Sequence, residues 1–113
     1  MANGDRGHLP ELTEEQRMEY LTRAAEARTE RARALREIAR GELSAEESMG
    51  DPRLQRCKVY AWLRAFPGIG ERKAQGIMQR LGISPSRRVQ GMGARQRVRV
   101  LQAIAGARSD GGR

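Results

Sequence analysis

The chain has 113 residues, with 22 Lys or Arg against 14 Asp or Glu, a net charge of +8 and an aromatic content of only 4%. That length allows one domain with tails, and the core must be small and built from Leu, Ile, Val, Met and Ala. No apolar run approaches a membrane span, the first ten residues lack the hydrophobic stretch of a secretory signal, and the single cysteine, Cys57, excludes an intramolecular disulfide and points to a reducing cytoplasm.

Residues 1–10 read as a flexible tail. Thr13 with Gln16 then forms a capping box at the start of a long helix. Met18, Leu21, Ala25, Ala32, Leu35 and Ile38 recur near the helical period, and Gly41 stops the helix. Ser44 with Glu47 is a second capping box, opening a short helix that Gly50 ends. Asp51-Pro52 signals a further helix running to about Phe66, with Val59, Trp62, Leu63 and Phe66 on its core face. Trp62 reads as core rather than as a base-stacking platform. The loop Pro67-Gly68-Ile69-Gly70 leads into a helix over 71–81, with Ala74, Ile77, Met78 and Leu81 inward and Gly76 placed to let another element pack close. Gly82 ends it, and Ser84-Pro85-Ser86 forces a turn before Arg87-Arg88. Gly91-Met92-Gly93 forms a second turn. A last helix runs from about Ala94 to Ala105, with Val98, Leu101 and Ile104 inward, and residues 107–113 read as a second flexible tail.

Charge divides along the same line. Residues 1–52 carry eight Arg and twelve acids; residues 53–108 carry thirteen Lys or Arg and one acid, Glu71. A concentrated cation of this kind implies a polyanionic partner. Within it, Gly68-Ile69-Gly70 and Gly91-Met92-Gly93 each stand directly before a helix, where free backbone N–H groups meet anions and glycine permits close approach.

The order of helix, GIG loop, helix, two turns with a basic pair, GxG turn and helix resembles the helix-two-turns-helix element shared by ribosomal protein S13 and a group of DNA-binding proteins. The resemblance is closest to the actinobacterial-type integration host factor. It is carried by LPELTEEQR, by the Ala- and Arg-rich helix after it, and by KVYAWLRAFPGIGERKAQGIMQRLGISPSRRVQGMGARQR, over roughly residues 9–105. It implies an all-α protein in which a long N-terminal helix (11–42) packs on a small domain over 43–106 containing the helix-two-turns-helix element. It further implies a sequence-tolerant duplex-DNA binder of the bacterial nucleoid that bends or condenses DNA and can assist phage site-specific recombination alongside integrase. One departure is Gln90, which stands where the family tends to place a third basic residue after Arg87 and Arg88.

The phosphate-gripping residues follow. Backbone amides around Gly68, Ile69 and Gly70 receive one phosphate, with Arg72 and Lys73 adding charge. Arg87 and Arg88 lead the second turn, with Ser86 offering a hydroxyl and Gln90 beside them. Gly91 and Gly93 hold a second strand contact with Arg95 and Arg97 behind, and Lys58 flanks the site. A competing reading is an S13-like RNA-binding module, but S13 proteins usually carry a longer, very basic tail, and AGARSDGGR is short and nearly neutral. A glycosylase-like enzyme is the other. Lys73 has no partnering Asp, His8 is the only histidine and lies in the tail, and Cys57 has no histidine partner. No enzyme activity, cofactor, metal, membrane or small-molecule substrate is expected, and a monomer is.

Overall fold

The computed structural model describes residues 11–111, with side chains to Arg108. Five α-helices follow in order among these residues: α1 (Glu14–Ala39), α2 (Ala45–Met49), α3 (Val59–Arg64), α4 (Glu71–Leu81) and α5 (Ala94–Gly111). Single 3-10 turns stand at Pro52–Leu54 and Val89–Gly91. The tail expected over residues 1–10 lies outside the described residues. At the other end α5 runs on to Gly111, through most of the stretch read as a tail.

Local chemistry sets most boundaries. Thr13 Oγ1 accepts from the Gln16 amide at 3.0 Å while the Gln16 side chain accepts from the Thr13 amide at 3.0 Å. Ser44 and Glu47 repeat the arrangement at α2. Gly41, at φ 78°, closes α1: its amide reaches the Ile38 carbonyl, and the Glu42 amide reaches that of Glu37 at 2.8 Å.

The core gathers Ile38, Leu54, Val59, Trp62, Leu63, Phe66, Ile77, Val89, Val100 and Ile104. Trp62 is fully buried, meets Phe66 edge-to-face at 5.4 Å and donates from Nε1 to Ser48 Oγ at 2.8 Å. It is therefore core, as its spacing implies.

Four expectations are corrected. First, α1 packs on the body through its C-terminal third alone. Ala34 and Ile38 are buried, whereas Met18, Leu21, Ala25 and Ala32 are exposed. A 26-residue helix is about 39 Å long, and its packing gathers on α2 and the Pro52–Leu54 turn. Second, the single helix expected over 51–66 is broken. Asp51 caps a 3-10 turn, and α3 begins only at Val59. The carbonyls of Gln55 and Cys57 accept from the amides of Gln90 and Val89, and the Val59 amide donates to Arg87, so this backbone serves a distant loop instead of a helix.

Third, α5 turns Val100 inward and leaves Val98 exposed. Val98, Leu101 and Ile104 are spaced by threes and drift around the helix, while Arg97, Val100, Leu101 and Ile104 keep the i, i+3, i+4, i+7 pattern. Fourth, Gly76 admits no close neighbour. A Cβ there would meet nothing within 4 Å, and the residue borders an open groove with Lys73, Ala103 and Gly106. Gly76→Ala is therefore expected to stabilise the chain by about 1 kcal/mol through helix propensity alone, read as a higher denaturant midpoint at unchanged slope.

Arg53 ties α1 to the turn that follows α2. Its guanidinium reaches Glu37 at 2.8 Å and Asp51 at 2.7 Å, with all three side chains largely shielded. The hydrogen bonds from Arg53 hold both carboxyls below their ordinary values. Carboxyls depressed in the folded state contribute stability above the unfolded carboxylate range, near pH 4, and lose it as pH falls through the folded values. The melting temperature should thus drop on acidification from about pH 5 to pH 3. Arg53→Met should lower it at neutral pH and flatten that acid dependence.

Candidate nucleic-acid interface

The second turn is built by two segments distant in sequence. Gly82, at φ 66°, ends α4, and Ile83 is buried beneath the turn. The Arg87 amide donates to the Ser84 carbonyl at 2.9 Å, and the Ser84 and Ser86 hydroxyls meet at 3.0 Å. The chain then runs antiparallel to residues 55–59, pairing Lys58 with Arg88. Val89 is wholly buried, so it anchors the turn while Arg87, Arg88 and Gln90 stay exposed.

Both arginines of the pair are braced. Arg87 Nη1 donates to the Gly91 carbonyl at 2.9 Å, and Arg88 Nη1 donates to the Arg56 carbonyl. A Cβ on Gly91 would lie 3.1 Å from Arg87 Cδ, so glycine there lets the arginine stem cross the backbone. A guanidinium has five N–H donors, and each of these two spends one on the protein. The remaining donors are held outward on a fixed base. Ser84, Ser86, Arg87, Arg88, Gln90 and Gly91 together line an open depression of about 310 Å³. Lys58, exposed at the N-terminus of α3, sits beside Arg88 through the backbone pairing.

The two glycine turns divide differently from expectation. Gly68 takes φ 87°, which sharpens the GIG loop. The Ile69 amide is already bonded to the Phe66 carbonyl at 3.1 Å and its side chain is buried, so Ile69 plugs the loop from beneath and offers no donor. Gly70 is the N-cap of α4 and makes no side-chain cap. Among the described residues, the amides of Glu71, Arg72 and Lys73 have no protein partner, which leaves the anion-binding end of α4 open. Arg72 is exposed beside it. Lys73 leans toward α5, with Nζ 3.4 Å from the Ala107 carbonyl.

At the other turn, Met92 is buried and Gly93 exposed before α5. Arg95 is exposed. Arg97 is half-buried and donates from Nε to the Met92 carbonyl at 3.0 Å, so it braces the turn instead of standing free behind it. The second turn and the start of α5 are thus contiguous, whereas the GIG loop stands at the opposite end of α4, whose 11 residues span about 16 Å.

One feature escaped sequence reasoning. Gln55 binds the Met49 and Asp51 carbonyls through Nε2 and gives its own carbonyl to Gln90. Arg31, one of the arginines that outnumber the acids toward the end of α1, is half-buried. Cys57 lies under this surface, buried, with its thiol pushed up by burial against the opposing charges of Arg31 and Arg88. Among the described residues, no group of His, Cys, Asp or Glu is placed to hold a metal ion, and no helix is long and apolar enough to cross a membrane.

The chain and its fold are similar to known proteins. The S13-like H2TH domain profile matches residues 37–104, a span that runs from the Glu37 end of α1 to the buried face of α5. The chain is 41% identical over 103 residues to the integration host factor of Mycobacterium tuberculosis (strain ATCC 25618 / H37Rv), covering 88% of this chain and 98% of that protein. It is 42% identical over 92 residues to the integration host factor of Streptomyces coelicolor (strain ATCC BAA-471 / A3(2) / M145), covering 78% and 86% respectively. A solved structure of sIHF bound to an 8-bp palindromic DNA aligns with a TM-score of 0.66 at 34% identity, covering 74% of this chain and 98% of that one. These matches span most of the chain, and the chain belongs to the S13-like H2TH family of integration host factors.

Proposed function

We propose that the chain binds duplex DNA through its phosphate backbone, with little dependence on sequence, as a nucleoid-associated protein that bends or compacts DNA. The observation that carries this reading is the second turn. Arg87 and Arg88 are each braced by one backbone carbonyl and present their other donors from a single exposed depression. Bracing lowers the entropy lost when a long side chain is fixed on a ligand, and guanidinium matches phosphate geometry. The open N-terminus of α4 with Gly68, Gly70, Arg72 and Lys73 supplies a second grip. Gly91, Gly93 and Arg95 extend the first, Ser86 and Gln90 add neutral polar contacts, and Lys58 flanks it.

Backbone contacts position a protein without reading bases. The reading includes no catalysis, a location on the cytoplasmic nucleoid, a monomer as the binding unit, and support of phage integrase–DNA complexes through DNA bending. The similarity to sIHF, a protein solved with DNA bound, favours duplex DNA over structured RNA. Gel-shift titration of the full chain with unrelated duplexes and a structured RNA, each at two salt concentrations, tests the reading. Duplexes should bind with similar affinity and more tightly than the RNA. Preferential RNA binding would transfer the site to a ribosomal type of ligand.

A further inference from the structure

The part of α1 that projects from the body carries an apolar face that no described residue covers. Of the five large hydrophobic side chains exposed among the described residues, Leu12, Met18, Tyr20 and Leu21 belong to this helix or to the residues just before it. Single exposed hydrophobics need no explanation, but a row of them marks an interaction surface. Met18, Leu21, Ala25, Thr29 and Ala32 are all exposed and fall within one arc of the helix. Thr29 belongs with them because its Oγ1 is spent on the Ala25 carbonyl at 3.1 Å. This arc lies roughly opposite the one that packs on the body, where Ala34 and Ile38 are buried. A second helix can therefore lie against it without displacing that contact.

The spacing of the stripe reads the same in both directions. Its steps are 3, 4, 4 and 3, symmetric about Ala25. Two copies laid antiparallel, with Ala25 facing Ala25, set Met18 opposite Ala32 and Leu21 opposite Thr29, large beside small at each level. Small residues at the centre let the two helix axes approach closely. Such a contact uses the same patch on both chains and closes on itself. Charge selects the same direction. Residues 11–20 hold four Glu against one Arg, and residues 28–36 hold four Arg against one Glu. A parallel pair sets acid on acid, whereas an antiparallel pair sets each acidic end on its partner's basic end. In this register Glu14 faces Arg36, and among the described residues neither has an ion-pair partner in its own chain. The overlap runs from Glu14 to Arg36, about 34 Å. The acidic end also argues against a duplex as the occupant.

We infer that α1 is a self-association helix, whose outer Met18–Ala32 face pairs antiparallel with the same face of a second copy of this chain. Each body remains the unit that grips a duplex. The pair carries two bodies at opposite ends, so one dimer ties two DNA segments together. The pairing itself does not depend on the DNA reading; only the bridging does. One helix pair is a small interface, so free chains associate weakly. Chains held as neighbours on one duplex pair more readily, by on the order of 100-fold, because their effective concentration rises.

The test combines sedimentation velocity of the free full-length chain over a concentration series with disulfide formation in air, free and on a long duplex. Wild type should move from monomer toward dimer as concentration rises. Met18→Glu/Leu21→Glu should stay monomeric and keep its melting temperature, since both positions are exposed and outside the core. Ala25→Cys should oxidise to a covalent dimer on the order of 100-fold faster than Arg23→Cys, which stands on the other side of the helix. The native Cys57 is buried and common to both variants. An equimolar mixture of Met18→Cys and Ala32→Cys should give the mixed dimer ahead of either homodimer, which reports direction and register. Wild type that stays monomeric, with Ala25→Cys cross-linking no faster than Arg23→Cys on the duplex, overturns the inference. Dimers that survive Met18→Glu/Leu21→Glu place the contact elsewhere and equally overturn it. A monomeric wild type whose duplex affinity is lost in Met18→Glu/Leu21→Glu gives this face to DNA instead.

Discussion

Reversing the charge of Arg87 and Arg88 together is expected to lower affinity for every duplex at least about 100-fold. Hydrogen bonds to charged groups contribute about 1.5–3 kcal/mol each, so losing two removes about 3 kcal/mol or more before repulsion is counted. The fold should survive. Both side chains are exposed, each makes a single bond to a backbone carbonyl, and the turn is anchored by buried Val89 and by three backbone hydrogen bonds to residues 55–59. Filter binding with two unrelated duplexes, alongside circular dichroism, checks both halves. An Arg87→Glu/Arg88→Glu chain that folds and binds like wild type would remove the second turn from the interface. A loss confined to one duplex would make the contact sequence-reading instead of positional.

The largest stability effect should come from Trp62. Trp62→Ala removes the largest fully buried side chain, its edge-to-face contact with Phe66 and the bond to Ser48 Oγ. Such truncations cost about 3–5 kcal/mol. At about 4–8 °C per kcal/mol for a domain of this size, the melting temperature should fall by roughly 20 °C. Ser48 would keep its bond to the Ala45 carbonyl at 2.8 Å but lose its donor, in a site wholly out of water. Trp62→Phe keeps much of the volume and should cost less, about 1–3 kcal/mol from the unmatched hydroxyl. Thermal denaturation of the two variants checks the order. Because Trp62 is the only tryptophan, its emission maximum should also stay unchanged when DNA is added. A shift there would return it to the ligand surface.

What was legible in the chain is what local chemistry decides. The capping boxes at Thr13 and Ser44, the bounds of α4 between Gly70 and Gly82, and the Val59, Trp62, Leu63 and Phe66 face all depend on residues within one or two turns of each other. The break at Gln55–Lys58 was not legible, because its cause is a loop thirty residues downstream that claims those carbonyls. Ile69 shows the same limit. GIG spells a phosphate loop, but a buried isoleucine whose amide is already bonded gives it a structural plug at its centre. The bracing role of Arg97 was hidden for a related reason: a cation's role depends on whether an acceptor waits within the fold, and sequence counts charges without placing acceptors. The expected stripe along α1 failed on length, since the helix outruns the body it packs against.

The central claim is that a braced cationic surface grips phosphates, and salt tests it most directly. Affinity of the full chain for a duplex should be measured from about 50 to 200 mM salt. With about six phosphates neutralised, the log–log slope should be near −5. A slope near zero, with duplex still bound, would contradict the account, because affinity would then come from something other than charge on Arg87, Arg88 and their neighbours.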